Sequence, residues 1–506
     1  MVIQQNESTL ISLNPNLLVT YLGKLPKDFT KEDIIKFVKD KNIKMINLCH
    51  VGEDGRLKSL SFVINNEKHL NEILEMGERV DGSSLFSYIN LEASDLYVTP
   101  KYRTAFINPF NETPTLNLLC AYFDKNGNQL DIAPENILRK AQEKLFKNTG
   151  VTLEALGELE FYIAFRQERK DLYPCEPEKG YHESSPFVKW ENLRNEILNT
   201  IAGTGAKVKY GHAEVGNIPD NGMEQHEIEF SLGPLEDMAD HTIIAKWIIR
   251  NIGAKYGVNI TFAPKLKVGH AGSGLHIHMR GYKNGKSIMT DSDGKLSDEA
   301  KKMIGGLLKF APSLTAFGNT VPTSYLRHGS HQEAPTGIYW GYGNRSALVR
   351  VPLGWTAARN MAEKINPGKI CNPANTNEYK QTIELRTPDG SANIYLLLAG
   401  IAVAVEYGLT NKESIKLAED LYVDALGEKK RKNLNRLKML PQSCYESAKC
   451  LEKDRKYYEK GNAFPEQTID GILKKLYGYK DKRLKETLMN DIDKTNELIE
   501  QYLHFG

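Results

Sequence analysis

The sequence predicts an α+β protein in two parts: a small mixed unit that ends near Pro109–Pro114 and a much larger unit that follows it. Two observations lead there. Strand-like runs with period-two alternation are interleaved with helix-like runs throughout, and two prolines, Pro109 and Pro114, interrupt the pattern after the first few elements. No short internal repeat or low-complexity tract suggests a solenoid or a linker array.

Residues 1–30 read as a poorly ordered arm, 31–112 as the first unit and 113–506 as the second. Within the first unit, Thr30–Lys41 has a short-helix pattern. Lys44–Val51, Leu57–Ile64 and Tyr97–Ile107 read as strands, with a helix near Lys68–Gly77. In the second unit Pro134 sits at the start of a helix running to Thr149, a position where its missing N–H costs nothing. Leu153–Phe165 is a long strand pattern, and Leu193–Thr200 and Thr242–Tyr256 read as helices. Leu275–Arg280 and Thr382–Thr387 read as strands, and the chain after Ala392 as mostly helical.

Composition excludes several classes. Sixty-six basic residues against 64 acidic ones leave a net charge of +2, which gives no reason to expect nucleic acid or an acidic membrane as a partner. The basic run Lys429–Lys432 reads as a solvated helix end. No apolar run approaches the ~18 residues of a membrane span, and the N-terminus lacks the basic-then-apolar pattern of a signal peptide. The six cysteines are scattered with no C-x-x-C pair, so reduced thiols and a cytoplasmic location are expected rather than a zinc knuckle or redox dithiol.

The chemistry lies in a recurring local pattern. Residues i and i+2 of a strand share a face. Glu158 and Glu160 form such a pair in GELEFYIAF, Glu227 and Glu229 in HEIEF, His276 and His278 in GLHIHM, and Glu384 and Arg386 in IELRTPDG. The residues between them, Leu159, Ile228, Ile277 and Leu385, are apolar, so each segment has one apolar and one charged face. A cavity lined by so many acids needs cations to offset repulsion and desolvation. A mainly carboxylate ligand set with one or two imidazoles suits Mg²⁺ or Mn²⁺ better than zinc or copper. Arg327, Arg345, Arg350 and Arg386 lie in segments with small or aromatic neighbours, and the planar guanidinium matches carboxylate and phosphate oxygens. Metals with arginines are the equipment of phosphoryl transfer. Gly272–Ser273–Gly274 lets backbone approach a ligand closely.

These residues resemble the glutamine synthetase family, chiefly its bacterial class I form. The resemblance runs from about Asp81 to Leu440 and follows the family's motif order: VDGSSLFSYINLEASDLYVTP, GELEFYIAF, HAEV then QHEIEF, TFAPKLKVGHAGSGLHIHM, NRSALVRVP and IELRTPDGSAN. It implies a small β-grasp-like N-terminal domain beside a large catalytic domain with a curved antiparallel sheet. It also implies a homo-oligomer, a double ring usually of twelve subunits in class I, with active sites between neighbours and the DGSS segment donated across the interface.

Carried over by position, Glu160, Glu214 and Glu227 would hold one metal, and Glu158, His276 and Glu384 a second, with two or three ions per site in all. His278 and Arg350 would contact nucleotide, and Arg345 the transferring phosphoryl group. Arg327 would bind the main-chain carboxylate of glutamate, Arg386 its side-chain carboxylate, and the Gly272 backbone would lie near its amino group. Asp81 would take the proton from ammonium, with Ser84, Tyr181 and Glu333 as companions, and the segment Arg327–Pro335 would close over the site. The implied reaction is ATP-dependent ligation of ammonia to glutamate through a γ-glutamyl phosphate.

Three departures bear on this. Ala271 stands where the family usually has Asn, a feature shared with relatives that ligate other amines. Arg280 replaces a small Ser near the nucleotide, and Thr382 replaces an arginine that assists the phosphates, for which Lys380 or Lys364 would compensate. The stretch from Glu214 to Glu227 is longer than usual, and Asn435 falls where some class I enzymes carry an adenylylated tyrosine. A γ-glutamyl ligase for another amine, and an inactive structural relative, therefore stand as alternatives.

Overall fold

The computed structural model describes residues 7–165, 173–218, 222–328, 334–354, 361–370, 380–423, 437–488 and 491–506. The N-terminal sheet contains β1 (Met45–Val51), β2 (Leu57–Val63), β3 (Glu78–Asp81), β4 (Asp95–Pro100), β5 (Phe106–Ile107) and β6 (Thr115–Phe123). Their order is β2-β1-β6-β4-β3, with β5 also on β6. Strands β1 and β6 run parallel while β1 and β2 run antiparallel. The helices Lys31–Asp40 and Glu67–Met76 accompany this sheet. Thr30 and Asp33 form a reciprocal capping box, which ends the first helix's orphan N–H groups at the expected place.

Three expectations are corrected here. Because β6 is central to the N-terminal sheet, that unit continues past Pro109–Pro114 to Phe123. The residues of the expected arm form short helices at Glu7–Ile11 and Leu17–Leu22, and Leu18 and Val19 are buried with Phe37, Ile46 and Leu116. The expected strand Tyr97–Ile107 is broken by the turn Tyr102–Thr104, so it contributes two strands, β4 and β5.

The larger sheet is built from β7 (Val151–Ala164), β8 (Val208–Ile218), β9 (Met223–Phe230), β10 (Gly233–Pro234), β11 (Asn259–Thr261), β12 (Leu275–Lys283), β13 (Lys286–Ser287), β14 (Trp340–Tyr342), β15 (Val349–Val351) and β16 (Ile383–Leu385). The main path is β14-β15-β16-β12-β7-β9-β8. Its pairs are antiparallel except β14–β15, so the sheet is mixed rather than purely antiparallel. One face is apolar: Leu159, Phe161, Ile228, Leu275, Ile277, Ile383 and Leu385 join a single core with Ile248 and Ile249 of the helix Leu235–Lys255.

Behind that layer, the helix Ile394–Thr410 packs between Pro134–Thr149 and Asp298–Gly318. A Cβ on Gly306 would lie 2.1 Å from the Ala404 carbonyl oxygen, and one on Gly408 would lie 2.3 Å from that of Lys302. These two glycines permit the helix backbones to touch. Among the described residues no single helix is long and apolar enough to cross a membrane. Gly306→Val should destabilise the fold by about 1–3 kcal/mol through overpacking, read as a lower midpoint in chemical denaturation with an unchanged slope.

Candidate active site

The other face of the larger sheet is charged, and strand register builds it. Glu384 on β16 faces Arg350 on β15 and His278 on β12. One row along, His276 faces Glu158 on β7, which faces Glu229 on β9. In the next row Glu160 faces Glu227, which faces His212 on β8. The four i, i+2 pairs thus lie on the adjacent strands β16, β12, β7 and β9. Near Glu214 the β8–β9 register shifts between Ala213 and Asn217, so this strand bulges where the longer segment was noted. A bulge re-aims side chains out of the regular alternation, and here Glu214 lies in the same group as Glu227.

Two groups of ligand atoms, each within 4.8 Å of one another, result: Glu158, His278 and Glu384, and His212, Glu214 and Glu227. His276 lies beside the first, with Nδ1 3.1 Å from Glu158 and 3.7 Å from Glu384. Its Nε2 is 3.8 Å from Glu160. Glu160 accepts the Gly274 N–H at 2.7 Å and the Gln225 amide at 3.2 Å, which fix its orientation. A Cβ on Gly274 would meet Arg327 Nη2 at 2.5 Å and His276 Nε2 at 2.8 Å, so a side chain there would displace both groups. All six expected metal ligands therefore occupy one face, joined by His278 and His212.

The charges are compensated unevenly. Glu384 is fully buried, takes Arg350 Nη1 at 2.6 Å and is also bonded by Arg386. Burial pushes its carboxyl up, but Arg386 and His278 outweigh that and hold it below the usual range. Burial likewise opposes ionisation of Glu158, and His278 and His276 overcome it. Burial would lower His278, yet Glu158 and Glu384 keep it above its ordinary value. Glu227 is different: burial and then Glu158, Glu160 and Glu214 drive its carboxyl well up. Such a concentration of buried acid with one under-compensated member fits cations as partners, and oxygen-rich groups with one imidazole each fit Mg²⁺ or Mn²⁺.

The remaining residues fall in distinct places. Arg327 is buried, donates to the Thr387 carbonyl at 2.9 Å and lies 3.2 Å from His276 Nε2, so it braces the segment that follows β16. The Gly272 carbonyl accepts from Gln225 at 3.2 Å. Arg345 is exposed on the turn between β14 and β15. Tyr181 is 49% exposed and stacks on His182 at 4.2 Å; His182 lies 4.3 Å from His212. Asp81 and Ser84 are exposed on the N-terminal sheet's turn Gly82–Ser84. Asp81 accepts from Ser83 and Ser84, which hold its carboxyl below the usual range. Among the described residues no hydrogen bond or ion pair links Asp81 or Ser84 to the acid cluster. Glu333 and Asn435 lie outside the described residues, as does most of the stretch before Lys380.

The departures have structural partners. Thr382 Oγ1 is 3.1 Å from His278 Nδ1 and fixes that ring. Arg280 pairs with Glu154 at 2.9 Å and lies over the Tyr282 ring. Ala271 is buried, its N–H held by Glu178 at 2.9 Å and its carbonyl by Tyr162 at 2.9 Å. His212 and Thr382's role were not anticipated as site features; the spacing His212-Ala213-Glu214 repeats the same i, i+2 signature and was the available signal.

Comparison with known proteins agrees with this architecture. The family model "Glutamine synthetase, catalytic domain" matches residues 131–477, and "Glutamine synthetase, beta-Grasp domain" matches residues 42–125. The glutamine synthetase of Thermotoga maritima is 31% identical over 430 residues, covering 84% of this chain and 90% of its own. That of Pyrococcus horikoshii is 31% identical over 450 residues, covering 88% and 91%. In structure, Plasmodium falciparum glutamine synthetase superposes with a TM-score of 0.75 at 22% identity, covering 92% of this chain and 98% of that one. A GmaS–ADP complex gives 0.70 at 18% identity, covering 90% and 99%. With both domains matched in order over most of its length, and a sheet face whose acids and histidines could hold metal, the chain belongs to the glutamine synthetase family of carbon–nitrogen ligases.

Proposed function

We propose that this protein ligates ammonia to the side-chain carboxylate of L-glutamate, the terminal phosphoryl group of ATP passing to that carboxylate as a γ-glutamyl phosphate and leaving as phosphate, with ADP as the other product. The observation that supports this reading most is the convergence of Glu158, Glu160, Glu214, Glu227, His276 and Glu384 on one sheet face beside Arg350 and Arg386. In the first step the glutamate carboxylate attacks the terminal phosphorus of ATP, and the bond to the ADP oxygen breaks. Arg345 and Arg350 would donate to the phosphoryl oxygens as charge spreads over them. Arg327 and Arg386 would orient the two substrate carboxylates, with the Gly272 backbone at the amino group. Mg²⁺ or Mn²⁺ held by Glu160, Glu214 and Glu227, and by Glu158, His276 and Glu384, would neutralise the acids and the phosphate oxygens.

In the second step nitrogen attacks the acyl carbon and phosphate leaves. Ammonium has no free pair, so a carboxylate must remove a proton. Asp81, an exposed carboxylate on the N-terminal turn, is the candidate for that task. Its exposure, with no hydrogen bond or ion pair to this chain's acid cluster among the described residues, supports donation of Asp81 and Ser84 by a neighbouring copy beside Tyr181 and Glu333; a double ring would supply such a neighbour. The segment Arg327–Pro335 would exclude water from the acyl phosphate.

A second reading, ligation of a larger amine, draws on the aromatic surface of Tyr181, His182 and Tyr210 around His212. Ring faces attract alkylammonium groups, and Ala271 offers no polar side chain. Purified protein with ATP, Mg²⁺ and glutamate should release phosphate and form glutamine with ammonium, and give less turnover with methylamine, ethanolamine or putrescine. Turnover only with an organic amine would reject ammonia as the acceptor, and none with any amine would reject ligation.

Two variants test the site itself. Glu384→Ala should abolish phosphate release while size-exclusion chromatography shows unchanged assembly. Glu227→Gln should remove a repelling charge and stabilise metal-free protein by about 1 kcal/mol, seen by denaturation in EDTA, while ligation falls to background. A Glu227→Gln protein with full activity would remove Glu227 from the metal set.

A further inference from the structure

Tyr181 and Gly272 both lie outside helices and strands, and one side chain joins their segments. Residues 175–182 run along the outer edge of β8. The N–H groups of Glu178, Gly180 and His182 reach the carbonyls of Asn217, Val215 and Ala213 at 3.4, 3.2 and 2.9 Å, and the Asn217 amide donates to the Cys175 carbonyl at 2.8 Å. The run passes close to the bulge at Glu214: a Cβ on Gly180 would lie 2.6 Å from the Glu214 carbonyl oxygen. Within it Glu178 has φ +58° and His182 φ +59°. Side chains with a Cβ disfavour that backbone region, and it persists where surrounding contacts impose it.

The Glu178 carboxylate reaches the loop that precedes β12. Its Oε2 accepts the Ala271 N–H at 2.9 Å, and its Oε1 lies 3.0 Å from His270 Nδ1. A carboxylate only accepts, so Nδ1 is the ring nitrogen that carries the proton. Glu178 and His270 are both partly exposed, and an ion pair so placed is worth little alone. The added backbone N–H makes the contact a two-point one, which fixes direction as well as distance. Other side chains hold the rest of that loop: Lys265 donates to the His270 carbonyl, Tyr162 to that of Ala271 at 2.9 Å and Gln225 to that of Gly272 at 3.2 Å. Burial and then Arg327 lower the Lys265 amine to about 8, and Glu178 opposes them. Tyr162 and Gln225 belong to β7 and β9; Glu178 is the partner that comes from the segment carrying Tyr181.

We propose, on the ligation reading given above, that Glu178 is a positioning residue for both reacting substrates: it locks the loop that presents the Gly272 backbone to glutamate against the segment that presents Tyr181 to the amine. Glu178 touches neither substrate and acts through those two segments. The reacting atoms must meet within about 3–3.5 Å, so slack in the bridge weakens the hold on both. The nucleotide residues His278 and Arg350 stand on β12 and β15, outside it.

Steady-state kinetics and calorimetry of the full-length protein test the bridge. Glu178→Ala should raise KM about tenfold for glutamate and for ammonium, or for whichever amine turns over, and leave KM for ATP within about twofold. Glu178→Gln should recover most of both losses, because its amide oxygen accepts the Ala271 N–H and its NH₂ donates to His270 Nδ1 in the other ring tautomer. The effects of Glu178→Ala and His270→Ala on glutamate binding, titrated with Mg²⁺ and β,γ-imido-ATP present, should be less than additive. His270→Ala removes one arm of the bridge and should raise both KM values by less, which keeps the test available if Glu178→Ala does not fold. Unchanged KM values in Glu178→Ala, a rise confined to one of the two substrates, an equal loss for ATP, no recovery in Glu178→Gln, or full additivity would each overturn the bridge. Wild-type protein that neither binds glutamate nor turns over rejects the ligation reading and the bridge with it; wild-type turnover with an unaltered Glu178→Ala variant rejects only the role of Glu178.

Discussion

Like charges gathered on a buried surface repel, and the catalytic sheet is organised around that constraint. Six glutamates, Glu158, Glu160, Glu214, Glu227, Glu229 and Glu384, share its charged face. Four of them are answered locally in different ways: Glu384 by two guanidiniums, Glu158 by two imidazoles, Glu229 by Lys209 at 2.6 Å, and Glu160 by an N–H and an amide. Only the Glu214–Glu227 side leaves one carboxyl forced upward by its neighbours. A protein that needed only a stable sheet would replace such a face with apolar or neutral residues; keeping it is intelligible if cations and phosphate visit it.

The scaffold that holds this face is rigid behind the charges. Arg327 ties His276 to the carbonyls after β16, and Asn319 bonds both the Thr387 carbonyl and Asp389 at 2.7 and 2.8 Å. Asp389 in turn takes the Ser391 hydroxyl at 2.6 Å. The strand end bearing Glu384 and Arg386 is thereby locked to the helix Asp298–Gly318, so the ligand atoms depend on backbone contacts rather than on mobile side chains alone.

Much of this was legible in the sequence because strand periodicity is local. The pairs around Leu159, Ile228, Ile277 and Leu385 declare their two faces without knowledge of neighbours, and Pro134–Thr149 is found with the limits its proline and following glycine impose. What was hidden depends on distant partners. The parallel pairing of β1 with β6 joins residues far apart in the chain, so a proline-marked break looked like a domain boundary. Leu18 and Val19 looked like part of an arm because their burial comes from the N-terminal core, not from their own segment. His212 escaped notice because Ala213, unlike the large apolar residue in the other pairs, does not mark a buried alternate face by itself.

The N-terminal sheet also protects its own edges. Its two outer strands are β2 and β3. The first carries Lys58, Ser59 and Ser61; the second is four residues long and bears Glu78, Arg79 and Asp81. Short, charged or polar outer strands discourage another backbone from adding to the ladder. Backbone addition at either edge is thereby disfavoured, while the turn Gly82–Ser84 that follows β3 keeps Asp81 and Ser84 exposed.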